Sequence, residues 1–238
     1  MRPYCTALVT GASRGLGAAL ARELLARDYR VMLVARSEPD LRRQVDGLSA
    51  PQRERADWLC CDLSDPAATR VLVAGVEQRF GGLDVLLNNA GASGYKPLLQ
   101  WSADEVIHCV SLNLLAPMLL AQAVLPGMIE RRRGMIVNIA SDLARRPLAN
   151  MAPYVAAKHG LLGFSASLLR EVKSQGVKVT SVLPGIIDTA FNGAAEGSKD
   201  ETWALNAAAL ASRIADLLEL PANIVVDELT VHPLQQDF

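Results

Sequence analysis

Tyr154 and Lys158 are the two side chains of this sequence whose types and spacing best suit proton transfer. They stand four residues apart in a segment with helical periodicity, so both would project from the same face of a helix. A tyrosine ordinarily titrates at about pH 10, and a neighbouring ammonium group favours the phenolate and lowers that pKa. The pair is therefore a candidate general acid and base, although tyrosine and lysine at this spacing also occur on many helices without a catalytic role.

Two more polar residues stand at positions that favour a shared site. Ser141 directly follows the apolar run 134–140, which predicts a buried strand, so its hydroxyl falls at the carboxyl edge of a sheet, where α/β proteins bind ligands. Asn113 interrupts a long apolar helical stretch, where a buried amide is costly unless it is hydrogen-bonded. Ser141 and Asn113 are therefore candidates for the same site as Tyr154 and Lys158.

A glycine-rich segment, 10–17 (TGASRGLG), connects the first predicted strand to the first predicted helix. Glycines there permit a tight turn and a close approach to a ligand, and the helix start offers free N–H groups and a partial positive charge. This position favours a pyrophosphate-binding site over a plain turn before a helix, which is the alternative. The residues that would form the site are Gly11, Ser13, Arg14, Gly15, Leu16 and Gly17.

The end of the second predicted strand carries Ala35 and Arg36 and no acidic residue. In dinucleotide sites an acid near this point binds the ribose 2′-hydroxyl of NAD, whereas an arginine accommodates the 2′-phosphate of NADP. Arg14 adds a second guanidinium nearby, and the planar fork of arginine suits phosphate oxygens. These residues predict NADP(H) as the preferred cofactor.

Thr10 followed by glycines at the spacing Gly-x-x-x-Gly-x-Gly, with Ser141, Tyr154 and Lys158 at their intervals, resembles the short-chain dehydrogenase/reductase family in its single-domain form. The resemblance extends over nearly the whole chain, 7–233. It implies an enzyme that transfers a hydride between the nicotinamide of NADP(H) and a carbonyl or secondary alcohol. We expect a reductase of a small to medium, mainly apolar carbonyl compound.

The resemblance implies a role for each member of the tetrad Asn113, Ser141, Tyr154 and Lys158. Tyr154 would donate a proton to the substrate carbonyl in reduction, or remove one from an alcohol in oxidation. Ser141 would hydrogen-bond the same oxygen, where negative charge develops. Lys158 would lower the tyrosine pKa and hold the ribose hydroxyls at the nicotinamide end, and Asn113 would position a water that relays protons to Lys158.

The resemblance implies further cofactor contacts at the ends of other strands. Asp62 matches the family's aspartate that contacts the adenine amino group, and an N-cap for the next segment is the alternative. The Asn-Asn-Ala-Gly run after the fourth strand and the Pro-Gly pair after the sixth are turns by default, but in the family they border the adenosine ribose and the nicotinamide. These candidates are Asp62, Leu63, Asn89, Ala90, Gly91, Pro184, Gly185, Ile187 and Thr189.

The substrate pocket is the part of the site on which the resemblance says least. Asp142 follows the catalytic serine where small residues are usual in the family, and it would either touch a polar substrate or point to solvent. The remaining candidates flank the tetrad or the strand-end loops. The predicted pocket residues are Ser93, Tyr95, Asp142, Leu143, Met151, Ile186 and Phe191.

The pattern of apolar runs and helical periodicity explains how these residues come together. Buried strands are predicted at 4–10, 30–35, 56–62, 83–87, 134–140, 177–183 and 224–231, and helices at 15–28, 40–48, 66–80, 103–131, 153–174 and 207–219. Strands that are apolar throughout and alternate with helices predict a parallel sheet covered on both faces. The predicted fold class is α/β: a Rossmann-type, doubly wound, seven-stranded parallel sheet with helices on both faces, in one domain over 1–238.

The composition of the 238 residues excludes several classes of function. A net charge of −1 offers no clustered basic face, so nucleic acid is not an expected partner. Three scattered histidines predict no metal site, and the cysteines lack paired spacing, with Cys5, Cys60 and Cys61 expected to be buried small hydrophobes. No signal peptide is recognised and no apolar run reaches membrane-spanning length, so we expect a cytoplasmic protein without membrane contact.

Alternatives remain for a loop and for the function. Loop 192–200 is rich in small and charged residues and is either a lid over the site or a plain surface loop.

The helices at 103–131 and 153–174 are apolar on more than one face, which predicts a homodimer or homotetramer. The main rival to an enzyme is a non-catalytic NADP(H)-binding redox sensor, and the complete tetrad argues against it. A sugar-nucleotide epimerase or similar extended relative fits less well because its glycine spacing differs.

Overall fold

The computed structural model describes residues 5–191, 197–200 and 202–236, apart from the side chain of Arg70. The strands are β1 (Thr6–Thr10), β2 (Arg30–Ala35), β3 (Ala56–Cys60), β4 (Val85–Asn88), β5 (Gly134–Ile139), β6 (Val177–Pro184) and β7 (Glu228–Val231). They form one sheet in the order β3-β2-β1-β4-β5-β6-β7, and every neighbouring pair is parallel. The predicted seven-stranded parallel sheet is confirmed.

The helices connect these strands and cover both faces of the sheet. They are α1 (Gly15–Ala26), α2 (Glu38–Asp46), α3 (Ala50–Arg53), α4 (Pro66–Phe80), α5 (Ala103–Val110), α6 (Ala116–Glu130), α7 (Ala152–Val172) and α8 (Ala207–Leu218). The chain winds outward from β1 to β3, then returns to β4 beside β1 and continues to β7. The sheet is therefore doubly wound, and the reversal between β1 and β4 opens the crevice in which such sheets bind ligands.

The core consists of two main apolar clusters, one on each face of the sheet. On one face, Val9 and Val31 pack with α1 and α8, including Leu20 and Ile214. On the other face, their neighbour Leu8 packs with α4, α6 and α7. Successive strand residues thus enter opposite clusters, because side chains alternate across a strand. Burial on both faces explains why the strands are continuously apolar rather than alternating.

Most element boundaries agree with the sequence pattern, and the differences have local causes. The predicted helix 103–131 is interrupted by a π-helical turn at Ser111–Leu115. The predicted strand 224–231 is shortened to β7, since Lys178 donates from its buried amine to the carbonyls of Leu220 and Pro221 and holds the preceding segment as a turn. The short helix α3 was not expected; Ser49 and Gln52 form a capping box at its start.

The stretch Ala103–Glu130 is long and apolar enough to cross a membrane by length and composition, with a mean hydropathy of 1.7. This corrects the expectation that no run reaches that length. Pro117 did not end the helix because it falls in the first turn of α6, where its missing N–H is tolerated. Leu120, Val124 and Met128 are buried against the sheet in the core. Core helices of soluble proteins are commonly as long and as apolar, so this length does not by itself indicate a membrane span.

The cysteines are free thiols, but most are not buried as expected. Cys5 and Cys60 are exposed, Cys61 is half-buried and Cys109 is buried. Cys60 ends β3, which is the edge strand of the sheet and whose residues are only partly buried. Of the predicted loop 192–200, residues 192–196 lie outside the described residues.

Candidate active site

Thr10 of β1 forms hydrogen bonds with the end of β4, the other strand that flanks the crevice. Its buried hydroxyl donates to the carbonyl of Leu87 and accepts from the backbone N–H groups of Asn89 and Ala90, at 2.9 and 3.0 Å. The Asn89 amide in turn donates to the Thr10 carbonyl at 2.9 Å. The glycine-rich segment therefore begins at a fixed distance from the Asn-Ala-Gly run after β4, which lies where the sequence predicts a cofactor wall.

The glycines between β1 and α1 are required by contact and by backbone conformation. Gly11 and Gly15 have φ of +66° and +54°, a region that favours glycine. A Cβ atom on Gly17 would lie 2.2 Å from the carbonyl oxygen of Gly11 and 2.5 Å from the Asn89 amide nitrogen. The turn is thus folded tightly against its own helix, and larger residues cannot replace Gly17 without moving the backbone.

The start of α1 is suited to an anion. The side chain of its N-cap residue, Arg14, makes no capping hydrogen bond in the described part of the chain, and the first turn of the helix carries no acidic residue. The exposed Arg14 precedes the helix, and Ser13 is half-buried beside it. Uncapped N–H groups and the partial positive charge of the helix start form a phosphate-binding arrangement. The side chain of Leu16 packs in the core, so its backbone is the part that would meet a ligand.

Arg36 and Asp62 form the corner at the far end of the crevice. The Arg36 side chain is exposed at the end of β2 and has no ion pair with any described residue. Asp62 accepts from the amide and hydroxyl of Ser64 at 3.0 and 2.7 Å. Burial raises the pKa of the Asp62 carboxyl, but these hydrogen bonds and the charges of Arg36 and His108 outweigh it, and the pKa falls. Asp62 caps this turn, whereas Asp65 caps α4.

Leu63 was predicted as a cofactor contact, and its side chain is buried in the core on the α4 face of the sheet. Only its backbone remains as a group that could meet a cofactor. The physical reason is position: Leu63 follows β3 and covers the apolar side of α4, where burial stabilises it more than exposure in a polar cleft would.

Ser141 lies just beyond β5 and is 7% exposed. Its hydroxyl accepts from the backbone N–H of Leu143 at 3.2 Å, so it caps the short 3₁₀ turn Asp142–Ala144. The same hydroxyl donates to the Asp142 carboxylate at 3.2 Å. The serine is therefore held at the carboxyl edge of the sheet, as predicted.

Tyr154 stands in the first turn of α7 and is buried with Cys109 and Met151. Burial raises the pKa of its phenol above the usual value, and the hydrogen bond with Ser141 only partly opposes that rise. The negative charge of the Asp142 carboxylate acts in the same direction as burial. The phenol is therefore protonated at neutral pH and is able to donate a proton.

Lys158 lies one turn further along α7, and its buried amine donates to the Ile139 carbonyl at 2.7 Å. Its nitrogen is 5.6 Å from the centre of the Tyr154 ring. Burial lowers the pKa of Lys158 to about 8. We expected Lys158 to lower the tyrosine pKa, and here burial of both groups dominates instead, because desolvation disfavours each charged form.

Asn113 occupies the π-helical turn between α5 and α6 and is fully buried. Its amide nitrogen donates to the carbonyls of Ala92 and Cys109 at 2.7 and 2.8 Å. Its side-chain oxygen has no hydrogen-bond partner among the described residues. The site of a Cβ on Gly91 lies 2.8 Å from this oxygen and 3.7 Å from the Lys158 amine, so the missing side chain leaves a small space between the two polar groups.

The loop after β6 approaches the glycine-rich turn. Thr189 is buried, and a Cβ on Gly15 would come within 3.1 Å of its side chain. Ile187 pairs with Leu205 through an isolated bridge, which anchors the middle of the loop. Pro184 ends β6, and Gly185 donates to the carbonyl of Val231. Of the four predicted residues of this loop, the structure thus brings Thr189 against the glycine-rich turn, whereas Pro184, Gly185 and Ile187 are held by β7 and by Leu205.

Some of the predicted substrate-pocket residues surround Tyr154, and others lie away from it. Leu143 and Met151 pack with Tyr154, and the Phe191 ring lies 6.1 Å from the tyrosine ring. Ser93 lines a neighbouring cavity of about 520 Å³. Tyr95 is 64% exposed, which places it on the surface rather than in a buried wall.

Asp142 and Ile186 make contacts that the sequence did not suggest. Both bind the side-chain amide of Gln236, through the Asp142 carboxylate and the Ile186 backbone N–H. Of the two alternatives for Asp142, orientation to solvent is wrong, because the residue is 5% exposed.

Sequence reasoning missed three residues of the site: Thr10 as the strand tie, Cys109 beside Tyr154, and Gln236. Cys109 stands four residues before Asn113, so helical spacing could have drawn attention to it. Gln236 had no local signal. The described residues contain no group of three or more side chains suited to hold a metal ion.

Comparison with known proteins identifies a family model and several reductases that are similar in sequence. The family model described as short chain dehydrogenase matches residues 5–200. The chain is 38% identical over 185 residues to a putative ketoacyl reductase of the granaticin polyketide synthase of Streptomyces violaceoruber, covering 77% of this chain and 68% of that one. It is 35% identical to the 3-oxoacyl-[acyl-carrier-protein] reductase FabG of Vibrio cholerae, covering 93% and 84%.

Solved structures with the same fold include two enzymes bound to forms of NADP. An alcohol dehydrogenase from the archaeon Thermococcus sibiricus, complexed with 5-hydroxy-NADP, superposes with a TM-score of 0.90 at 28% identity, covering 98% of each chain. A metagenomic short-chain oxidoreductase in complex with NADP gives a TM-score of 0.82 at 34% identity, covering 96% of this chain and 97% of that one.

Proposed function

The chain belongs to the short chain dehydrogenase family, and from that premise we propose that it reduces a carbonyl compound with NADPH. The observation that carries the proposal is the buried cluster of Ser141, Tyr154 and Lys158 at the carboxyl edge of β5. It brings a hydroxyl, a protonated phenol and an amine of lowered pKa to the crevice where such sheets bind ligands. Such a set of groups suits proton donation to a carbonyl oxygen.

The cofactor fits the residues at the crevice. The tight Gly11–Gly17 turn, the uncapped start of α1 and the exposed Arg36 match a pyrophosphate and a 2′-phosphate. The two structural relatives bound to forms of NADP support the same choice. We assign the pyrophosphate to the glycine-rich turn, the adenosine to Asp62, Asn89, Ala90 and Gly91, and the nicotinamide end to Ile187, Thr189 and Lys158.

Each member of the tetrad has a distinct task in this proposal. When bound, NADPH supplies the hydride that reduces the carbonyl carbon. Tyr154 donates its phenol proton to the carbonyl oxygen, and the Ser141 hydroxyl donates a hydrogen bond to the same oxygen as negative charge develops there. Lys158, with a pKa of about 8, returns a proton to Tyr154 near neutral pH. Asn113 holds a water beside that lysine through its unpartnered oxygen.

Cofactor preference provides a direct test of Arg36. Arg36→Ala should raise the KM for NADPH by roughly ten- to hundredfold and leave the KM for NADH nearly unchanged, because hydrogen bonds to charged groups contribute about 1.5–3 kcal/mol. Steady-state kinetics with both cofactors measure this. Arg213→Ala is the control, since Arg213 is an exposed arginine of α8 paired with Asp216. An equal loss with NADPH and NADH in the Arg36 variant would contradict the assignment.

The substrate is proposed only as a class. Leu143, Met151 and Phe191 give the surroundings of Tyr154 an apolar character, which suits a small to medium apolar carbonyl compound. The relatives described as ketoacyl and 3-oxoacyl reductases favour a β-ketoacyl compound within that class.

The experiment that tests the function is NADPH oxidation by the purified protein with a panel of carbonyl compounds, with NADH in parallel. The panel contains aldehydes, diketones, quinones, β-ketoesters, a pterin and a steroid ketone. Turnover on one class with NADPH favoured supports the proposal. Tight NADPH binding without turnover on any compound favours the rival function, a non-catalytic redox sensor.

We also propose a cytoplasmic homodimer or homotetramer. Helices α5 and α6 expose Ile107 (62%), Met118 (37%) and the adjoining Leu115 (36%), which are costly to leave in water. On α7 the exposed positions include the small residues Ala156, Gly163 and Ala166, which permit close helix packing. Light scattering of the purified protein measures its mass in solution. A monomer at micromolar concentration would contradict the proposal.

A further inference from the structure

The segment after β7, residues 232–236, lies at the carboxyl edge of the sheet, where Ser141 is also found. The side chain of Gln236 is half-buried and uses both ends of its amide. Its nitrogen donates to the Asp142 carboxylate at 2.8 Å, and its oxygen accepts from the backbone N–H of Ile186 at 2.9 Å. One side chain therefore joins the loop after β5 to the loop after β6.

Both of these loops carry residues of the proposed site. Asp142 directly follows Ser141 and accepts a hydrogen bond from its hydroxyl at 3.2 Å. Ile186 directly precedes Ile187, and Thr189 lies two residues after Ile187. The contacts run without a gap from the Ser141 hydroxyl through Asp142 and Gln236 to the loop assigned to the nicotinamide end.

Gly185 lies directly against the side chain of Gln236. A Cβ atom there would lie 2.2 Å from the Gln236 side-chain oxygen and 3.1 Å from the ring of His232. Its φ is not in the left-handed region, so conformation alone does not require glycine at this position. A larger residue at Gly185 would therefore have to displace the end of the Gln236 side chain.

Asp142 is almost fully engaged by protein groups. Its two oxygens are bound by Ser141 and Gln236, and His232 lies 3.8 Å from the second oxygen. A carboxylate that is 5% exposed needs such donors to offset its desolvation. Its contacts thus suit a fixed link between the two loops better than a group that binds substrate.

We propose that Gln236 is a positioning residue, which sets the Ser141 loop relative to the Ile186–Thr189 loop through Asp142. The inference rests on the proposed function, since the distance between these loops matters only if they hold a substrate oxygen and a nicotinamide. Catalytic groups must lie within a fraction of an ångström of their productive positions, and a displacement of about 1 Å can reduce a rate on the order of a hundredfold.

The test compares two variants that add the same charge at adjacent positions. Gln236→Glu replaces the donor to Asp142 by a second carboxylate and separates the loops. Gln235→Glu is the matched control, because Gln235 is exposed and its side chain contacts Thr202 rather than either of the two loops. The double variant Asp142→Asn with Gln236→Glu restores one donor and one acceptor with their places exchanged.

Three quantities are measured for each variant: kcat and KM for a carbonyl substrate, the Kd for NADPH without substrate, and the Tm. We expect Gln236→Glu to lower kcat by roughly tenfold to a hundredfold and to weaken NADPH binding, while Gln235→Glu matches the unaltered protein. The double variant should regain most of kcat. A purely structural link would lower the Tm and leave kcat of the folded protein unchanged.

Two results would overturn the inference: kcat and Kd of Gln236→Glu equal to those of Gln235→Glu, or a loss that the double variant does not reverse. Failure of the proposed function is seen separately, as absence of turnover in the unaltered protein. The NADPH Kd then decides the role of Gln236 by itself. Weaker binding in Gln236→Glu, reversed in the double variant, supports it, and unchanged binding refutes it.

Discussion

Replacement of Tyr154 by phenylalanine is expected to reduce turnover by about 10²–10⁴-fold, the usual contribution of a general acid. The change removes one hydroxyl and keeps the ring that packs with Met151 and Cys109 and lies 6.1 Å from the Phe191 ring. NADPH binding should therefore stay close to that of the unaltered protein. Single-turnover kinetics and an NADPH fluorescence titration measure the two quantities separately.

Tyr29→Phe is the control for loss of a buried tyrosine hydroxyl away from the site. Tyr29 is 1% exposed and precedes β2, at the end of the sheet opposite the crevice. Its variant should lose some stability and keep its turnover. If Tyr154→Phe turns over at the unaltered rate, Tyr154 is not the proton donor, and the buried, protonated phenol needs another explanation.

Ser141→Ala should lower kcat by about 10²–10³-fold, as does the loss of one donor to a developing oxyanion. The hydroxyl also caps the 3₁₀ turn Asp142–Ala144 through the Leu143 N–H, so the variant should lose about 0.5–2 kcal/mol of stability as well. The two effects are separated by measuring kcat per folded molecule and the Tm by calorimetry.

Ser165→Ala supplies the comparison for the stability effect. Ser165 is 3% exposed on α7, where its hydroxyl accepts from the Asn138 amide at 2.8 Å and donates to the Leu161 carbonyl. Its loss should cost a similar amount of stability and leave kcat unaltered. A Ser141→Ala enzyme whose kcat is as little affected as that of Ser165→Ala would show that the serine only caps its turn.

The sequence by itself determined the architecture and the list of candidate groups. Strands apolar at every position require burial on both faces, and their alternation with helices leaves few topologies for a parallel sheet. The glycine-rich segment was readable because a tight turn between a strand and a helix is a local requirement. Tyr154 and Lys158 were readable because helical spacing places residues four apart on one face.

Tertiary structure alone decided the electrostatics and the link between the two loops. The rise in the Tyr154 pKa depends on burial, to which Cys109 contributes from α5, 45 positions earlier in the chain. The π-helical turn at Asn113 forms where its amide reaches the Ala92 carbonyl, 21 positions away. Gln236 meets Asp142 across 94 positions. Spacing along the chain predicts local contacts, whereas distant partners are set by how the helices and loops pack around the finished sheet.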